Sequence, residues 1–213
     1  MKSRSRFHYI PTIALLGTVA LGGCGGIHYP TRYMLNFPTS APRIPQIQQD
    51  PLGPLEVREF RCPAYLCEGR IVYRPSPEEV GYYEYHRWAL SPRQAITSLM
   101  ADALRTQSLF KTVSFHEPGI QTAYVLSGSI DSLEEVDEAR DIRAVCTISA
   151  QLLDARKGSV VWNHTASESV SVESRNVDGV VSSLAAAASA TVDRLVESMA
   201  TALASARYPD PQP

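Results

Sequence analysis

Two runs in the second half of the chain alternate apolar and polar residues with the period of two that is typical of half-buried β-strands. The first run begins at Tyr124 and the second at Ala144, and a turn at 154–158 leads into a third strand from Val160 to about Val172. Consecutive strands joined by short turns predict an antiparallel meander. One face of the first two strands carries the apolar side chains of Tyr124, Leu126, Gly128, Ile130, Ala144, Cys146, Ile148, Ala150 and Leu152.

Apolar residues at spacings of three and four predict two main helices, each with one buried face. The first should start after Ser91, which can cap it, with Pro92 at the first helical position and Gln94 placed to complete a capping box. It should end near Ser108. The second carries an apolar stripe from Val177 onward over about seven turns.

Shorter apolar stretches predict further strands at 33–37, 55–60, 70–74 and 110–115. The order along the chain is therefore strands, helix, strand, meander and helix. We predict an α/β (α+β) fold, in which a mixed, largely antiparallel sheet has two main helices packed on it. A layered arrangement of this kind buries one face of the sheet and one stripe of each helix.

The N-terminus has the layout of a secretory signal peptide at 1–23. Three basic residues, Lys2, Arg4 and Arg6, precede an apolar run at 10–21 that is shorter than the roughly 20 residues needed to span a bilayer. The sequence that follows, Leu21-Gly22-Gly23-Cys24, resembles the lipobox of bacterial lipoproteins. That resemblance implies an acylated Cys24 that holds the mature protein on a membrane; the alternative is a plain secretory signal with a chance Cys.

Composition divides the rest of the chain into three parts. Residues 24–54 hold six prolines after Cys24 and predict a lipidated N-terminus followed by a semi-rigid tether. Residues 55–206 are enough for a single domain with its own core, and the Pro-rich stretch 207–213 predicts a disordered tail. The formal net charge of −2 shows no basic excess, so we expect no nucleic-acid partner.

Cys62 and Cys67 are the one close pair of cysteines. In an oxidising compartment they could close a small disulfide loop. Two free thiols are the alternative, and a metal or redox site is a weaker one, because the spacing is not C-x-x-C and no second ligand pair follows. Cys146 lies on an alternating strand and should be a small buried residue.

The chain has no motif that indicates catalysis, a resident metal or a cofactor. The histidines outside the leader, His28, His86, His116 and His164, are scattered, and the serines have no partner pattern. Acidic residues crowd the segment 131–141, but their order does not match a calcium loop. We expect that segment to be a solvated hairpin tip.

The segment 82–88 is the densest aromatic cluster in the sequence. Tyr, Trp and Arg are enriched at protein interfaces, so Tyr82, Tyr83 and Tyr85 are candidate partner-binding residues, with Trp88 expected inside the fold. Strict alternation would place Tyr83 and Tyr85 on one face of an extended segment and Tyr82 on the other. The alternative is that all of these rings simply pack on the core.

Taken together, the sequence resembles the ABC-type transport auxiliary lipoprotein family, whose members accompany MCE-type (mammalian cell entry) lipid-transport systems of diderm bacteria. The resemblance rests on Cys24, Tyr33-Met34-Leu35, Gly69-Arg70-Ile71-Val72-Tyr73-Arg74, Tyr82-Tyr83-Glu84-Tyr85-His86-Arg87-Trp88-Ala89 with Ser91-Pro92, and Leu109-Phe110-Lys111-Thr112-Val113. Two features depart from the family pattern: the pair Cys62 and Cys67, and a degraded opening tyrosine motif.

The resemblance implies a non-enzymatic lipoprotein on the outer membrane that faces the periplasm. Gly25, rather than Asp, follows Cys24 and gives no signal for retention at the inner membrane. The implied partners are an MCE-domain protein and the permease and ATPase of an ABC transporter, and self-association into a homo-oligomer is compatible with them. The competing interpretations are a structural or assembly lipoprotein of the outer membrane and a lipid-anchored hydrolase.

Overall fold

The computed structural model describes residues 29–38, 50–67, 69–116, 121–138 and 141–207. The predicted signal peptide, Cys24 and all but the first residue of the predicted tail lie outside these ranges. The described elements are β1 (Thr31–Tyr33), β2 (Leu55–Val57), α1 (Ala64–Cys67), β3 (Arg70–Ser76), β4 (Glu79–Trp88), α2 (Pro92–Gln107), β5 (Val113–Phe115), β6 (Tyr124–Glu138), β7 (Asp141–Asp154), β8 (Ser159–Ser171) and α3 (Val177–Arg207).

The eight described strands form one open sheet around β6. Along one edge of β6 runs β7, which in turn pairs with β8, and both pairings are antiparallel. The other edge of β6 is shared by β2, near its start, and β3, near its end, both parallel to it. β5 extends the sheet beyond β2, while β4 and then β1 extend it beyond β3. The long pairings are antiparallel, which confirms the predicted fold class.

The core lies on one face of this sheet, which we call the inner face. α3 packs on β6, β7 and β8, and α2 packs against α3 and β5. The inward-facing residues of β7 are Ala144, Cys146, Ile148, Ala150 and Leu152, all buried as the alternation predicts. By length and composition α3 could cross a membrane over Val177–Ala206, but 61% of its most apolar stretch is buried within the fold. We therefore treat it as a core helix.

The start of α2 differs from the predicted cap. Ser91 makes no side-chain capping hydrogen bond, and its carbonyl instead accepts a bond from the Ala95 N–H at 3.1 Å. The helix begins at Pro92 because the ring presets φ and the first helical position needs no N–H donor. At the other end Ser108 adopts the left-handed conformation, with φ of 54°, and closes the helix.

The acidic segment is not the solvated hairpin tip that its charge predicts. β6 continues through it to Glu138, and Glu134 and Glu135 are only 6% and 7% exposed. A register shift between Ile130 and Ser132 separates this part of β6 from the regular ladder. Each of the two carboxylates has a specific partner, and those partners belong to the candidate site.

β1 lies within the segment predicted to be tether. It adds to the edge of β4, with Thr31 opposite His86 and Tyr33 opposite Trp88. Tyr33, Leu35 and Phe37 then pack against the core. The chain is thus bound to the domain's sheet soon after position 29.

Candidate functional site

The three candidate tyrosines lie on β4, but they do not form a single aromatic surface. The pairing of β4 with β3 shifts between Arg70, which is opposite Arg87, and Val72, which is opposite Tyr82. Two steps along β3, from Arg70 to Val72, thus correspond to five steps along β4, from Arg87 to Tyr82. Strict alternation therefore fails across Tyr83 to His86. This bulge sends neighbouring tyrosines to different surroundings.

Tyr83 points into the fold and is held by an acid. Its hydroxyl donates to Glu135 Oε2 at 2.5 Å, and its ring meets those of Tyr73 and His86 edge-on at 5.3 and 5.9 Å. Burial, followed by the hydrogen bond to Glu135, raises the pKa of Tyr83. Burial likewise raises the pKa of Glu135, against the opposing effect of the Tyr83 hydrogen bond. The pair therefore favours the state in which both groups keep their protons.

A second polar contact ties β1 to β4 and to the start of α3. The Tyr33 hydroxyl lies 3.2 Å from His86 Nδ1, and the two rings are 5.5 Å apart. Burial raises the pKa of Tyr33, and the charge of Asp178, together with a hydrogen bond to it, adds to that increase. Asp178 lies in the first turn of α3, so β1 is fastened to both layers of the domain.

Tyr85 is exposed and Tyr82 is half-buried, so both keep part of their surface in contact with solvent. The guanidinium of Arg70 lies 5.2 Å from the centroid of the Tyr82 ring, and Tyr85 is 47% exposed. Trp88 is 5% exposed and belongs to the core cluster, as expected from the sequence. The accessible aromatic surface is thus Tyr82 with Arg70, and Tyr85.

Glu134 faces away from Glu135 and forms a largely buried ion pair with Arg74. Arg74 Nε and Nη2 each donate to one of its carboxylate oxygens at 3.0 Å. Such a two-point contact fixes both side chains in one plane. Tyr65 lies close by, and its pKa is raised first by burial and then by the charge of Glu134. This ion pair joins β3 to β6 beneath α1.

Cys62 and Cys67 are joined by a disulfide, with their Cα atoms 6.2 Å apart. The bridge encloses α1 and ends two residues before Gly69, whose φ of 83° starts the turn into β3. Cys146 is a free, buried thiol whose pKa burial raises to about 12. Neither observation indicates redox chemistry, because the bridge is structural in position and the free thiol is enclosed.

The described histidines contact partners other than a serine or cysteine nucleophile. His86 contacts Tyr33, and His116 Nδ1 lies 2.9 Å from Glu56, which also accepts from Arg58. His164 is exposed beside Trp162, with ring centroids 6.4 Å apart. The described residues also contain no group of three or more potential metal ligands.

A shallow depression of about 250 Å³ lies on the outer face of the sheet, opposite the helices. Its lining is polar and includes Arg61, Ser127, Ser129, Ser149, Gln151 and Asn163. Ser149 donates to Asp131 at 2.5 Å and contacts Thr165 at 2.9 Å. These groups already satisfy one another across the strands, so the depression is a hydrated sheet surface.

Sequence reasoning missed the residues that hold the tyrosines in place, above all Glu135, Tyr33 and Arg70. Only the folded structure shows the contact of Glu135 with Tyr83, because the two residues are 52 positions apart in sequence. The many charged residues around Glu135 in the sequence predicted instead that its side chain is exposed to solvent. Arg70 stands directly before the apolar stretch Ile71-Val72-Tyr73, but nothing in the sequence pairs it with Tyr82.

The family is established by the sequence match. The profile of the ABC-type transport auxiliary lipoprotein component family covers residues 33–200, and the chain belongs to this family. The matched range includes β4, both long helices and the meander. No curated protein sequence matches the chain.

Solved structures share the fold. A protein from Xanthomonas campestris aligns with a TM-score of 0.71 at 19% identity over 83% of this chain and 99% of its own. An uncharacterised protein aligns with a TM-score of 0.62 at 14% identity over 80% of this chain and 99% of its own. The PelC dodecamer of Paraburkholderia phytofirmans aligns with a TM-score of only 0.45. At these identities the likeness concerns the fold alone.

Proposed function

We propose that the chain is a lipid-anchored, non-enzymatic component of an MCE-type lipid-transport system, held on the outer membrane and facing the periplasm. The observation that carries the proposal is membership of the auxiliary lipoprotein family over residues 33–200. An auxiliary component works by binding, and its ATPase and permease are separate chains. Its role would be to receive or dock the part of the system that crosses the periplasm.

Two features support a binding role. The described residues hold no group of three or more potential metal ligands, and the accessible aromatic surface offers large contact area on residues with few side-chain torsions to immobilise. We place partner contact on Tyr82 and Tyr85. Tyr83, which donates to Glu135, supports that surface from inside the sheet.

Attachment through Cys24 is tested first. The change Cys24→Ala should abolish incorporation of radiolabelled palmitate, because the acylated thiol is removed, and should leave an unprocessed precursor. Fractionation of cell membranes should then place the palmitate-labelled wild-type chain in the outer-membrane fraction. Palmitate entering the variant would refute the lipobox assignment, and wild-type chain in the inner-membrane fraction would refute the location.

Partner binding is tested by affinity purification of the lipidated chain from native membranes. The MCE protein, the permease and the ATPase should copurify, and Tyr85→Ala combined with Tyr82→Ala should reduce their recovery per folded molecule. Phe115→Ala is the matched control, because Phe115 is 42% exposed at the other end of the sheet and lies under Arg105. Recovery of cell-envelope assembly proteins in place of the transporter would favour a structural lipoprotein.

A further inference from the structure

Three arginines from three strands stand side by side in the sheet. Arg32 on β1 is directly opposite Arg87 on β4, and Arg87 is directly opposite Arg70 on β3. Residues directly opposite on paired strands project from the same face. Neighbouring strands lie about 4.8 Å apart, so the row spans about 10 Å at the Cα atoms.

This row lies on the outer face of the sheet. Tyr33, Ile71 and Trp88, which each follow one of the arginines, are directed to the core. Because side chains alternate along a strand, their preceding arginines point the other way. Arg32 and Arg70 are exposed and Arg87 is half-buried. The three cations therefore border solvent at the sheet edge formed by β1.

Among the described residues, no carboxylate compensates the charge of the row. Like charges directly opposite on paired strands destabilise a sheet, and none of the ion pairs between described residues involves Arg32, Arg70 or Arg87. Arg74, four residues after Arg70 on β3, is by contrast paired with Glu134. Within the half-buried side chain of Arg87, Nη1 is enclosed and has no hydrogen-bond partner among the described residues. An anion at the solvent-facing side of the row would offset this uncompensated charge.

The surroundings of the row are apolar and lie near the predicted anchor. Met34 follows Arg32 on the same face of the chain and is 63% exposed, while the Tyr82 ring lies beneath Arg70. Cys24 precedes Arg32 by eight residues, so an acyl chain on it is within about 28 Å even if the linker is fully extended. The cationic groups of the row suit the phosphate of a phospholipid headgroup. The exposed Met34 beside them suits the upper part of the acyl chains, and the predicted lipid anchor is close by.

We propose that the side-by-side row of Arg32, Arg87 and Arg70, with Met34 beside it, is a binding site for the phosphate group of a membrane phospholipid. Guanidinium groups bind phosphate oxygens in a two-point geometry, and two neighbouring strands bring two such groups to one phosphate. The third arginine and Met34 orient the glycerol and the first methylenes. The site shares Arg70 with the accessible aromatic surface, but it concerns lipid contact by the domain itself, and its test uses no transport partner.

The test uses the lipidated full-length mature protein in nonionic detergent, with bound lipid counted by native mass spectrometry. Dihexanoyl phosphatidylglycerol should bind, and dihexanoylglycerol, which lacks the phosphate, should not. Arg87→Gln and Arg32→Gln should each weaken phosphatidylglycerol binding about tenfold, since each removes a charge-assisted hydrogen bond. Arg156→Gln, an exposed arginine at the β7–β8 turn, is the matched control and should bind as the wild type does.

Two further measurements identify the source of the phosphate. Inorganic phosphate should compete only weakly, and Met34→Ser should weaken phosphatidylglycerol binding while leaving competition by inorganic phosphate unchanged. Equal affinity for inorganic phosphate and the lipid would overturn the lipid assignment. Unchanged binding in both arginine variants, with circular dichroism confirming their fold, would overturn the site, and so would equal loss in Arg156→Gln.

Discussion

The meander (β6, β7 and β8) and the corner (β1, β4 and β3) are built in opposite ways. The meander strands have 13 to 15 residues and pair almost without interruption. The corner strands have 3 to 10 residues, and β3 and β4 shift register twice over four matched pairs. The regular half forms most of the core layer under α3, whereas the irregular half presents charges and aromatic rings. Loss of register is what brings unlike side chains together in the corner.

Polar groups show the same difference. On the outer face of the meander, hydroxyls satisfy one another across strands, as between Thr147 and Ser167 at 2.8 Å. In the corner, Tyr83 is held by a single partner from a distant part of the chain, Glu135 of β6, and Arg87 Nη1 has no hydrogen-bond partner among the described residues. Hydrogen bonds between neighbouring strands thus dominate the outer face of the meander, and contacts between distant segments dominate the corner.

The largest expected effect tests whether the two halves share one core. Trp88 of the corner and Trp162 of the meander are 5% and 6% exposed and belong to the same cluster. Trp88→Ala and Trp162→Ala should each lower the free energy of unfolding by about 3–5 kcal/mol, measured by urea denaturation. Tyr85→Ala should change it little. A much smaller cost at Trp88 than at Trp162 would mean that the corner folds as a separate, weaker unit.

The second effect concerns the disulfide that leads into the corner. Replacing both Cys62 and Cys67 by Ser should cost about 2 kcal/mol, because the bridge closes only a short loop in the unfolded chain. Mass mapping of non-reduced peptides checks the bond, and dithiothreitol should destabilise the wild type but not the double variant. Two free thiols in the native protein would contradict the assignment.

A smaller effect isolates the contact between Tyr83 and Glu135. Tyr83→Phe removes the hydroxyl that donates to the buried carboxyl and should cost about 1.5 kcal/mol. Tyr82→Phe is the matched control, since it removes the same atom from the accessible ring under Arg70, and it should be nearly neutral. Equal costs in the two variants would show that the Glu135 contact is not specific.

The smallest effect is a pH dependence with a defined sign. Burial raises the pKa of Glu135 above its ordinary 4.5, so the folded state holds its proton more tightly than the unfolded state. The contribution of Glu135 to stability is therefore largest below 4.5 and is lost as the pH rises through the folded pKa. The difference in Tm between wild type and Glu135→Gln should therefore fall as the pH rises from below 4.5 through the folded pKa of Glu135. If the Tm values of wild type and Glu135→Gln change in parallel with pH, the raised pKa of Glu135 is contradicted.

The sequence was sufficient for most of the regular half. Alternation locates β7, β8 and the first part of β6, and spacings of three and four locate α2 and α3, because each of these repeats its pattern over many residues. The second part of β6, from Asp131 to Glu138, was missed because its acidic residues predict a solvated turn. β4 gives no such signal, since its bulge interrupts the alternation and rings occur on both faces. α1 has four residues, too few for any period. The parallel pairing of β2 and β3 along one edge of β6 depends on contacts between distant segments.

The candidate site was predicted in part. The aromatic content of the segment 82–88 predicts partner binding there, which stays a prediction, and Trp88 lies inside the fold as expected. Which tyrosine faces inward depends on a β-bulge whose position cannot be predicted from the neighbouring sequence. Glu135 could not be recognised because it lies in a run of charged residues, which is typical of a solvent-exposed segment. The arginine row is invisible in sequence, because Arg32, Arg70 and Arg87 meet only through strand register.

The length of α3 sets how motion can pass through the domain. The helix meets the corner at Asp178, near Tyr33, and meets the outer meander strand at Ser198, which accepts from Trp162 Nε1 at 3.2 Å. These contacts are twenty residues apart on an unbroken helix, which is about 30 Å. The corner and β8 are therefore joined through one continuous helix. A displacement of the first turn of α3 relative to the sheet would be transmitted along the helix to its contact with Trp162.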